Sequence, residues 1–221
     1  MKFIDLSHRI TDGLVTYPGT PAVKIDAYMT RQEAADAFGE PAQALLDRIT
    51  MLNISGTYLD APLHRFDKGY TVADIPLEKL VDLPYQVVSL KEGKNCFDTE
   101  DLSGIGIPGG AVILNSGHHK VFGTEKYGVN APYLTPEGAQ YLMDRGVVLV
   151  GIDTPLIDNM MVSSTVGCPV HDIILDAGGV VCEDLINTDL AAAAGGTGLL
   201  SAIPARVEMA SFTARVFIKI N

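Results

Sequence analysis

Cysteine is scarce in this sequence, and its few copies form no recognisable motif. The 221 residues include only Cys96, Cys168 and Cys182, which lie far apart and contain no CxxC pair. An odd, sparse set argues against a disulfide framework and favours reduced thiols. The N-terminal MKFIDLSHRI also lacks the apolar core of a signal peptide, so we expect a cytoplasmic protein.

Basic clusters and long apolar runs are missing as well. Asp and Glu outnumber Lys and Arg 27 to 16, which gives a net charge of −11. Phosphate backbones and anionic membranes attract basic patches, so we expect no nucleic-acid partner and no membrane partner. The most apolar stretches, such as GVVLVGID, are too short to cross a bilayer. We interpret the acidity as a source of solubility.

No feature of the sequence divides the chain into parts. We find no Pro/Ser-rich linker, low-complexity tract, long charge run or internal repeat. Hydrophobic residues make up 47% of the chain, which is enough to bury one substantial core. We therefore predict a single domain over residues 1–221.

Strand-like segments outnumber helical ones. Apolar or alternating patterns predict strands at residues 2–6, 23–28, 83–90, 111–115, 147–152 and 214–220. Thr135-Pro136-Glu137 is typical of a helix start, and Gly146 of its end. The Ala-rich segment from Arg31 to Arg48 predicts two short helices or one broken helix. This content indicates an α/β protein with helices packed on sheets.

The stretch SGTYLDAPLH contains a first group of chemically capable residues. If residues 57–60 are extended, Tyr58 and Asp60 project to the same face. Pro62 ends regular pairing and turns the chain, which allows His64 to swing back toward Asp60. An aspartate and a histidine that converge at a strand end suit either metal ligation or acid–base chemistry.

His171 and Glu183 form a second group, twelve residues apart on either side of Gly178-Gly179. A tight reversal at the glycines would bring both side chains to one site. With the first group they provide two imidazoles and two carboxylates, a set that suits Zn²⁺, Mn²⁺ or Fe²⁺. Each residue also has an ordinary interpretation as a turn, surface or solvated side chain, and spacing alone favours that interpretation.

The order of motifs along the whole chain resembles the cyclase family, which includes bacterial kynurenine formamidases and isatin hydrolase. The family signature H-x-G-T-H-x-D-x-P-x-H is similar to ISGTYLDAPLH at residues 54–64. DLSH at 5–8, YPG at 17–19, GIDTP at 151–155 and ARV at 214–216 resemble further family elements. His171 and Glu183 fall where the family has its late His and Glu.

The resemblance implies a fold, an assembly and a reaction. It implies a swivelling β/β/α cyclase-like fold with mixed sheets and packed helices, and a homodimer or homotetramer. The implied reaction is hydrolysis of a small cyclic or aryl amide by a metal-activated water. The segment from Arg31 to Arg48 is longer than usual for the family and is interpreted as a surface helix, a pocket lid or a contact with a neighbouring subunit.

The chain departs from the signature at two metal-binding positions. Ile54 and Tyr58 replace the first and second histidines, and neither side chain is a good ligand. We therefore predict that Asp60, His64, His171 and Glu183 hold a single divalent metal, Zn or Mn. Six further residues are predicted to line the substrate pocket, namely Tyr17, Ser55, Thr57, His118, His119 and Asp153. The adjacent histidines stand where the family often has T-G-W, and one of them is alternatively a replacement ligand.

Three functions remain open at this point. The first is a one-metal hydrolase in which Tyr58 donates to the developing oxyanion. The second is a metal-free isomerase, lyase or ring-opening enzyme, with His64 as the base, Asp60 as its partner and Tyr58 as acid or oxyanion donor. The third is a catalytically dead binding or regulatory protein on the same scaffold. We prefer the first, because the polar residues of one metal subsite are retained together.

Overall fold

The computed structural model describes residues 2–220, so residues 1 and 221 of the predicted domain lie outside it. No helix within the described chain is long and apolar enough to span a bilayer. Five α-helices are present in that range, α1 (Arg31–Phe38), α2 (Pro136–Met143), α3 (Ser163–Val166), α4 (Pro169–Asp176) and α5 (Thr188–Ala193). The strands of the same range are β1 (Lys2–Asp5), β2 (Lys24–Met29), β3 (Leu46–Thr50), β4 (Tyr58–Asp60), β5 (Leu83–Ser89), β6 (Cys96–Phe97), β7 (Ala111–Asn115), β8 (Tyr133–Leu134), β9 (Leu149–Ile152), β10 (Val180–Glu183), β11 (Thr197–Pro204) and β12 (Ser211–Ile220).

Seven strands close on themselves to form a barrel. Their order is β12-β11-β5-β7-β9-β10-β4, and β4 pairs back with the start of β12. The far end of β12 pairs with β1 instead. Three neighbouring pairs in the barrel are parallel, namely β5–β7, β7–β9 and β9–β10. The other four barrel pairs are antiparallel. The predicted α/β class with mixed sheets and packed helices is confirmed.

The barrel wall is buried on both of its faces. One hydrophobic cluster includes Ile113 and Val216 and draws on all seven barrel strands, so it fills the barrel. The other includes Val150 and Val181 together with side chains of helices α2 and α4. Successive strand residues point to opposite faces, which explains why both faces are apolar. Leu59 belongs to the inner cluster, and its neighbours Tyr58 and Asp60 therefore face outward, toward α4.

Helix α4 and strand β10 are joined by the predicted reversal at Gly178-Gly179. Gly178 has a φ of +72°, a conformation that glycine adopts readily. A side chain at Gly179 would meet the Ile174 carbonyl oxygen at 2.9 Å, so the close approach of helix and strand also requires glycine. The reversal lays α4 beside β10 and places His171 on the buried face of the helix.

The segment from Arg31 to Arg48 differs from its prediction. Its first half is helix α1, which Thr30 and Glu33 cap reciprocally. Its end is not helical, because Leu46 to Arg48 belongs to strand β3, which pairs with β2. Cross-strand contacts such as the Asp26–Arg48 ion pair have overridden helix propensity there. The prediction also missed strand β11 and helix α5.

The β2–β3 ribbon with helix α1 forms an arm that, within residues 2–220, pairs with no strand of the barrel sheet. Several of its large apolar side chains are exposed, including Tyr28, Phe38 and Ile49. A two-stranded ribbon alone is only marginally stable in water. The homodimer or homotetramer implied by the family resemblance stays a prediction, and so does the role of this arm as a lid.

Gly69 packs against the backbone of the Pro62–His64 turn, and we expect its replacement to destabilise the fold. A Cβ at Gly69 would lie 2.3 Å from the Pro62 carbonyl carbon and 2.4 Å from the Leu63 nitrogen, both of them backbone atoms. Gly69→Ala should therefore lower the free energy of unfolding by about 1–3 kcal/mol, the usual cost of overpacking. Urea denaturation measures this loss. Gly106→Ala is the matched control, because a Cβ there meets no atom within 4 Å. Equal losses in the two variants would contradict the expectation.

Candidate active site

Asp60 ends strand β4 and is fully buried. Its Oδ1 accepts a short hydrogen bond from the hydroxyl of Ser211, the residue directly opposite on β12. Its Oδ2 has no hydrogen-bond partner among the described residues, although it is buried. That oxygen lies 3.5 Å from Nε2 of His171. A buried carboxylate oxygen without a donor is costly unless a cation or a proton satisfies it.

His64 lies in the turn that follows β4. The chain turns at Pro62 as predicted, in a single 3₁₀ turn from Pro62 to His64. The Nδ1 atom of His64 lies 3.5 Å from Asp60 Oδ1 and 3.1 Å from Ser211 Oγ. The side chain is 36% exposed, so it is the part of the cluster most open to solvent. Burial lowers the pKa of His64, and Asp60 opposes this effect in part.

His171 is oriented by a carboxylate that the sequence analysis did not identify. Its Nδ1 lies 2.6 Å from Oδ2 of Asp158, and the Val170 N–H donates to Oδ1 of the same carboxylate at 2.7 Å. Nδ1 therefore carries the proton, and Nε2 faces Asp60 and Glu183. Such a partner fixes the orientation and tautomer of a metal-binding histidine. Burial lowers the pKa of His171, but Glu183, Asp158 and Asp60 outweigh it, so the pKa lies well above its usual value.

Glu183 is the last residue of β10 and has defined partners on both oxygens. Its Oε1 lies 3.4 Å from His171 Nε2 and accepts the Ile157 N–H at 2.6 Å. Its Oε2 accepts the phenol proton of Tyr58. Burial raises the pKa of Glu183, and His171 lowers it in part. Burial, followed by the charge of Glu183, raises the pKa of Tyr58 well above its usual value. A phenol has one proton, so an oxyanion could receive it only if Glu183 released it.

Among the residues that the structure describes, two groups of side chains have donor atoms close enough to share a cation. Asp60, His64 and His171 form one group and Asp158, Cys168 and His171 the other, with donor atoms within 4.8 Å of one another. The His171 Nε2 atom lies 3.5 Å from Asp60 Oδ2 and 3.4 Å from Glu183 Oε1. Ligands on a tetrahedral ion with bonds of about 2.1 Å are separated by about 3.4 Å.

The first group fits a divalent ion better than the second. Oδ2 of Asp60 is the oxygen without a donor, and it faces His171 Nε2, whose proton a bound ion would displace. Both oxygens of Asp158 are instead occupied by backbone N–H groups and by the ring of His171. Glu183 lies next to the first group, where its Oε1 contacts His171, and its Oε2 accepts the hydrogen bond of Tyr58. The four predicted ligands therefore lie together, three of them within one group and the fourth at its edge.

Four predicted pocket residues lie in a second polar cluster. His119 pairs with buried Asp153 at 2.9 Å, and His118 lies 2.8 Å from the Tyr127 carbonyl oxygen. Thr57 donates to the backbone of Asp184 and accepts the His8 N–H. Within residues 2–220, neither His118 nor His119 belongs to a group that could hold a metal.

The remaining two predicted pocket residues are less connected. Ser55 is buried in the turn before β4, and Tyr17 is 37% exposed. The neighbouring Gly56 N–H donates to Thr16 Oγ1 at 2.7 Å, which ties the N-terminal turn to the signature stretch. The pocket assignment of these six residues stays a prediction.

Sequence reasoning missed two residues that contact the proposed ligands, Asp158 and Ser211. Asp158 lies three residues beyond the recognised GIDTP segment, so its neighbourhood was visible and its role was not. Ser211 lies just before the predicted last strand and carries no signal of its own. Both matter only because the fold brings them to His171, Asp60 and His64.

A comparison with known protein families decides the affiliation of this chain. The family model named Cyclase matches residues 4–159, a span that includes the signature stretch and Asp158. The chain belongs to the cyclase family. The resemblance inferred from the motifs is therefore confirmed.

Similar proteins in this cyclase family have hydrolase names. Kynurenine formamidase from Geobacillus thermodenitrificans is 29% identical over 189 residues, which cover 83% of this chain and 82% of that protein. Isatin hydrolase A from Labrenzia aggregata, solved with benzyl benzoate, has a TM-score of 0.80 at 22% identity and covers 99% of this chain and 93% of its own. A structure described as a potential metal-dependent hydrolase with cyclase activity has a TM-score of 0.77 at 24% identity. The match covers 98% of this chain and 96% of that one. The names of these relatives are thus names of hydrolases.

Proposed function

We propose that this cyclase-family chain hydrolyses a small cyclic or aryl amide with the help of one divalent ion, Zn or Mn. Asp60, His64 and His171 would hold the ion, with Glu183 at the edge of the site. One observation carries the proposal. A buried carboxylate oxygen without a donor faces an imidazole nitrogen whose ring is held by Asp158. The amide class is supported by the names of the relatives.

The side chains divide the work of such a reaction between them. The ion, when bound, would activate a water molecule and polarise the scissile carbonyl. His64 is the most exposed of the three residues that would hold the ion, so water and substrate would reach the site from its side. Tyr58 would hold Glu183 rather than act as the oxyanion donor, since its proton is already donated there.

Metal removal and restoration test the proposed function directly. The full chain is purified without added metal, its metal content is measured, and hydrolysis of isatin and formanilide is followed before and after chelation. We expect about one ion per chain once Zn²⁺ or Mn²⁺ is supplied, loss of turnover on chelation, and recovery on re-addition. Failure to bind either metal at any pH tested would end the proposal. Stoichiometric binding without turnover of any amide would favour a binding protein.

A metal-free acid–base enzyme is the second candidate, and one observation supports it. Tyr58 donates to Glu183, and His171 is paired with Asp158. Most polar groups of the cluster are thus satisfied as they stand, which suits proton transfer. Turnover that survives exhaustive chelation would favour this candidate over the hydrolase.

A further inference from the structure

Ser211 occupies a position between two residues of the proposed centre. It is fully buried at the start of β12, directly opposite Asp60. Its hydroxyl donates to Asp60 Oδ1, and the same oxygen lies 3.1 Å from Nδ1 of His64. One hydroxyl therefore links the carboxylate to the imidazole.

The number of protons in this chain of contacts determines the tautomer of His64. A carboxylate only accepts hydrogen bonds, so the single proton of the Ser211 hydroxyl is directed to Asp60. Toward His64 the Ser211 oxygen can then act only as an acceptor. Nδ1 of His64 must supply that proton, and in the neutral ring Nε2 is left with the lone pair.

The backbone keeps Ser211 in this position. The Ala61 N–H donates to the Ala210 carbonyl at 2.9 Å, and the Ala214 N–H donates to the Thr57 carbonyl at 2.9 Å. These bonds lie on either side of the three cross-strand pairs that join β4 to β12. The hydroxyl is therefore held by two strands of the barrel wall rather than by a loop.

We propose that Ser211 is a positioning residue that fixes His64 in the Nδ1–H tautomer. By the same contacts it occupies Oδ1 of Asp60 and leaves Oδ2 of Asp60 and Nε2 of His64 available. The use of those two atoms for catalysis rests on the proposed function. The tautomer itself does not, because it follows from the hydrogen bonds among the chain's own side chains.

Three variants separate a positioning role from a merely structural one. Ser211→Ala removes the hydroxyl, and Ser211→Thr restores it. Thr213→Val is the matched control, because Thr213 lies two residues along β12 and its hydroxyl donates to the Thr57 carbonyl, a backbone group. Thermal melts establish that each variant is folded.

The decisive readout is the ¹⁵N spectrum of histidine-labelled, metal-free protein at pH 8. The protein has five histidines, so His64→Gln assigns the signals of His64 by their disappearance. We expect a protonated Nδ1 and an unprotonated Nε2 in the wild type, in Ser211→Thr and in Thr213→Val. Ser211→Ala should show a mixture of tautomers. A wild-type His64 protonated at Nε2, or a Ser211→Ala spectrum identical to the wild type, would overturn the proposal.

Kinetics provide a second and separate test. If the chain hydrolyses amides, kcat/KM of Ser211→Ala should fall about 10–100-fold, as is usual when the supporting partner of an active group is removed. Ser211→Thr should recover most of the loss, and Thr213→Val should show none. An unchanged kcat/KM in Ser211→Ala would reject the functional part. Absence of hydrolysis in the wild type would sink the proposed function, and the tautomer measurement would still decide the role of Ser211.

Discussion

Replacing His171 with glutamine is expected to prevent the proposed metal binding at the candidate centre and to abolish the proposed hydrolysis. Nε2 of His171 is the atom that faces both Asp60 and Glu183, at 3.5 and 3.4 Å. A glutamine amide offers no comparable ligand nitrogen. Metal affinity should therefore fall more than ~100-fold, since the loss of a ligand exceeds the loss of its supporting partner. Metal analysis after equilibrium dialysis and turnover measured with the metal present test this expectation.

Glutamine is preferred to alanine for a physical reason. His171→Ala would leave the carboxylates of Asp60, Asp158 and Glu183 buried without their shared cationic partner, which costs several kcal/mol and endangers the fold. The Gln amide can still donate to Asp158. Asp172→Asn is the matched control, because that side chain follows in the same helix and pairs with Arg65 on the surface. Wild-type metal content in a folded His171→Gln protein would rule out this ligand set.

Replacing Asp158 with asparagine is expected to weaken metal binding about 10–100-fold without removing any ligand. Both oxygens of Asp158 accept hydrogen bonds, one from the Val170 N–H and the other from the backbone and ring of His171. An asparagine places an NH₂ group at one of these positions, so one donor must face another. If the NH₂ group faces the ring, His171 shifts its proton to Nε2 and loses the lone pair that points at Asp60.

Competition with a chelator of known affinity measures this effect, and Asp172→Asn again serves as the control. The Asp158→Asn protein should remain folded, because the buried group stays polar and keeps most of its partners. A metal dissociation constant within twofold of the wild type would show that Asp158 does not hold the ring for metal binding. In that case the orphan oxygen of Asp60 would need another explanation.

The replacement of the two signature histidines has a defined structural consequence at one of the positions. Tyr58 stands at the position of the second signature histidine, and its phenol donates a hydrogen bond to Glu183. The residue at this position is therefore a hydrogen-bond donor rather than a metal ligand. Glu183 is consequently engaged on both oxygens, and its contact with the metal-capable group passes through His171. This arrangement supports a centre for one ion rather than two.

Much of the fold was predictable from local pattern. The alternating or continuous apolar runs at Leu83–Ser89, Ala111–Asn115 and Leu149–Ile152 became barrel strands, and Thr135-Pro136 became a helix start. The prediction was wrong at Leu46–Arg48, where helix propensity competed with pairing to β2. Propensity is a local quantity, whereas strand pairing depends on a partner elsewhere in the chain.

Local sequence pattern likewise predicted some residues of the candidate site and missed others. The sequence predicted the four candidate ligands at positions 60, 64, 171 and 183, together with the order of the family motifs. It also predicted the glycine reversal that brings α4 against β10. The roles of Asp158 and Ser211 could not be predicted, because an aspartate in a loop and a serine before a strand occur in any sequence.

By itself the amino-acid sequence determined the family and the mixed α/β class, and it predicted four side chains as ligands of a metal ion. The tertiary structure alone decided which atoms of those side chains are free, since Ser211 reaches Asp60 across 151 residues of chain. Hydrogen-bond donors and acceptors are matched in three dimensions, and barrel closure between β4 and β12 creates that match.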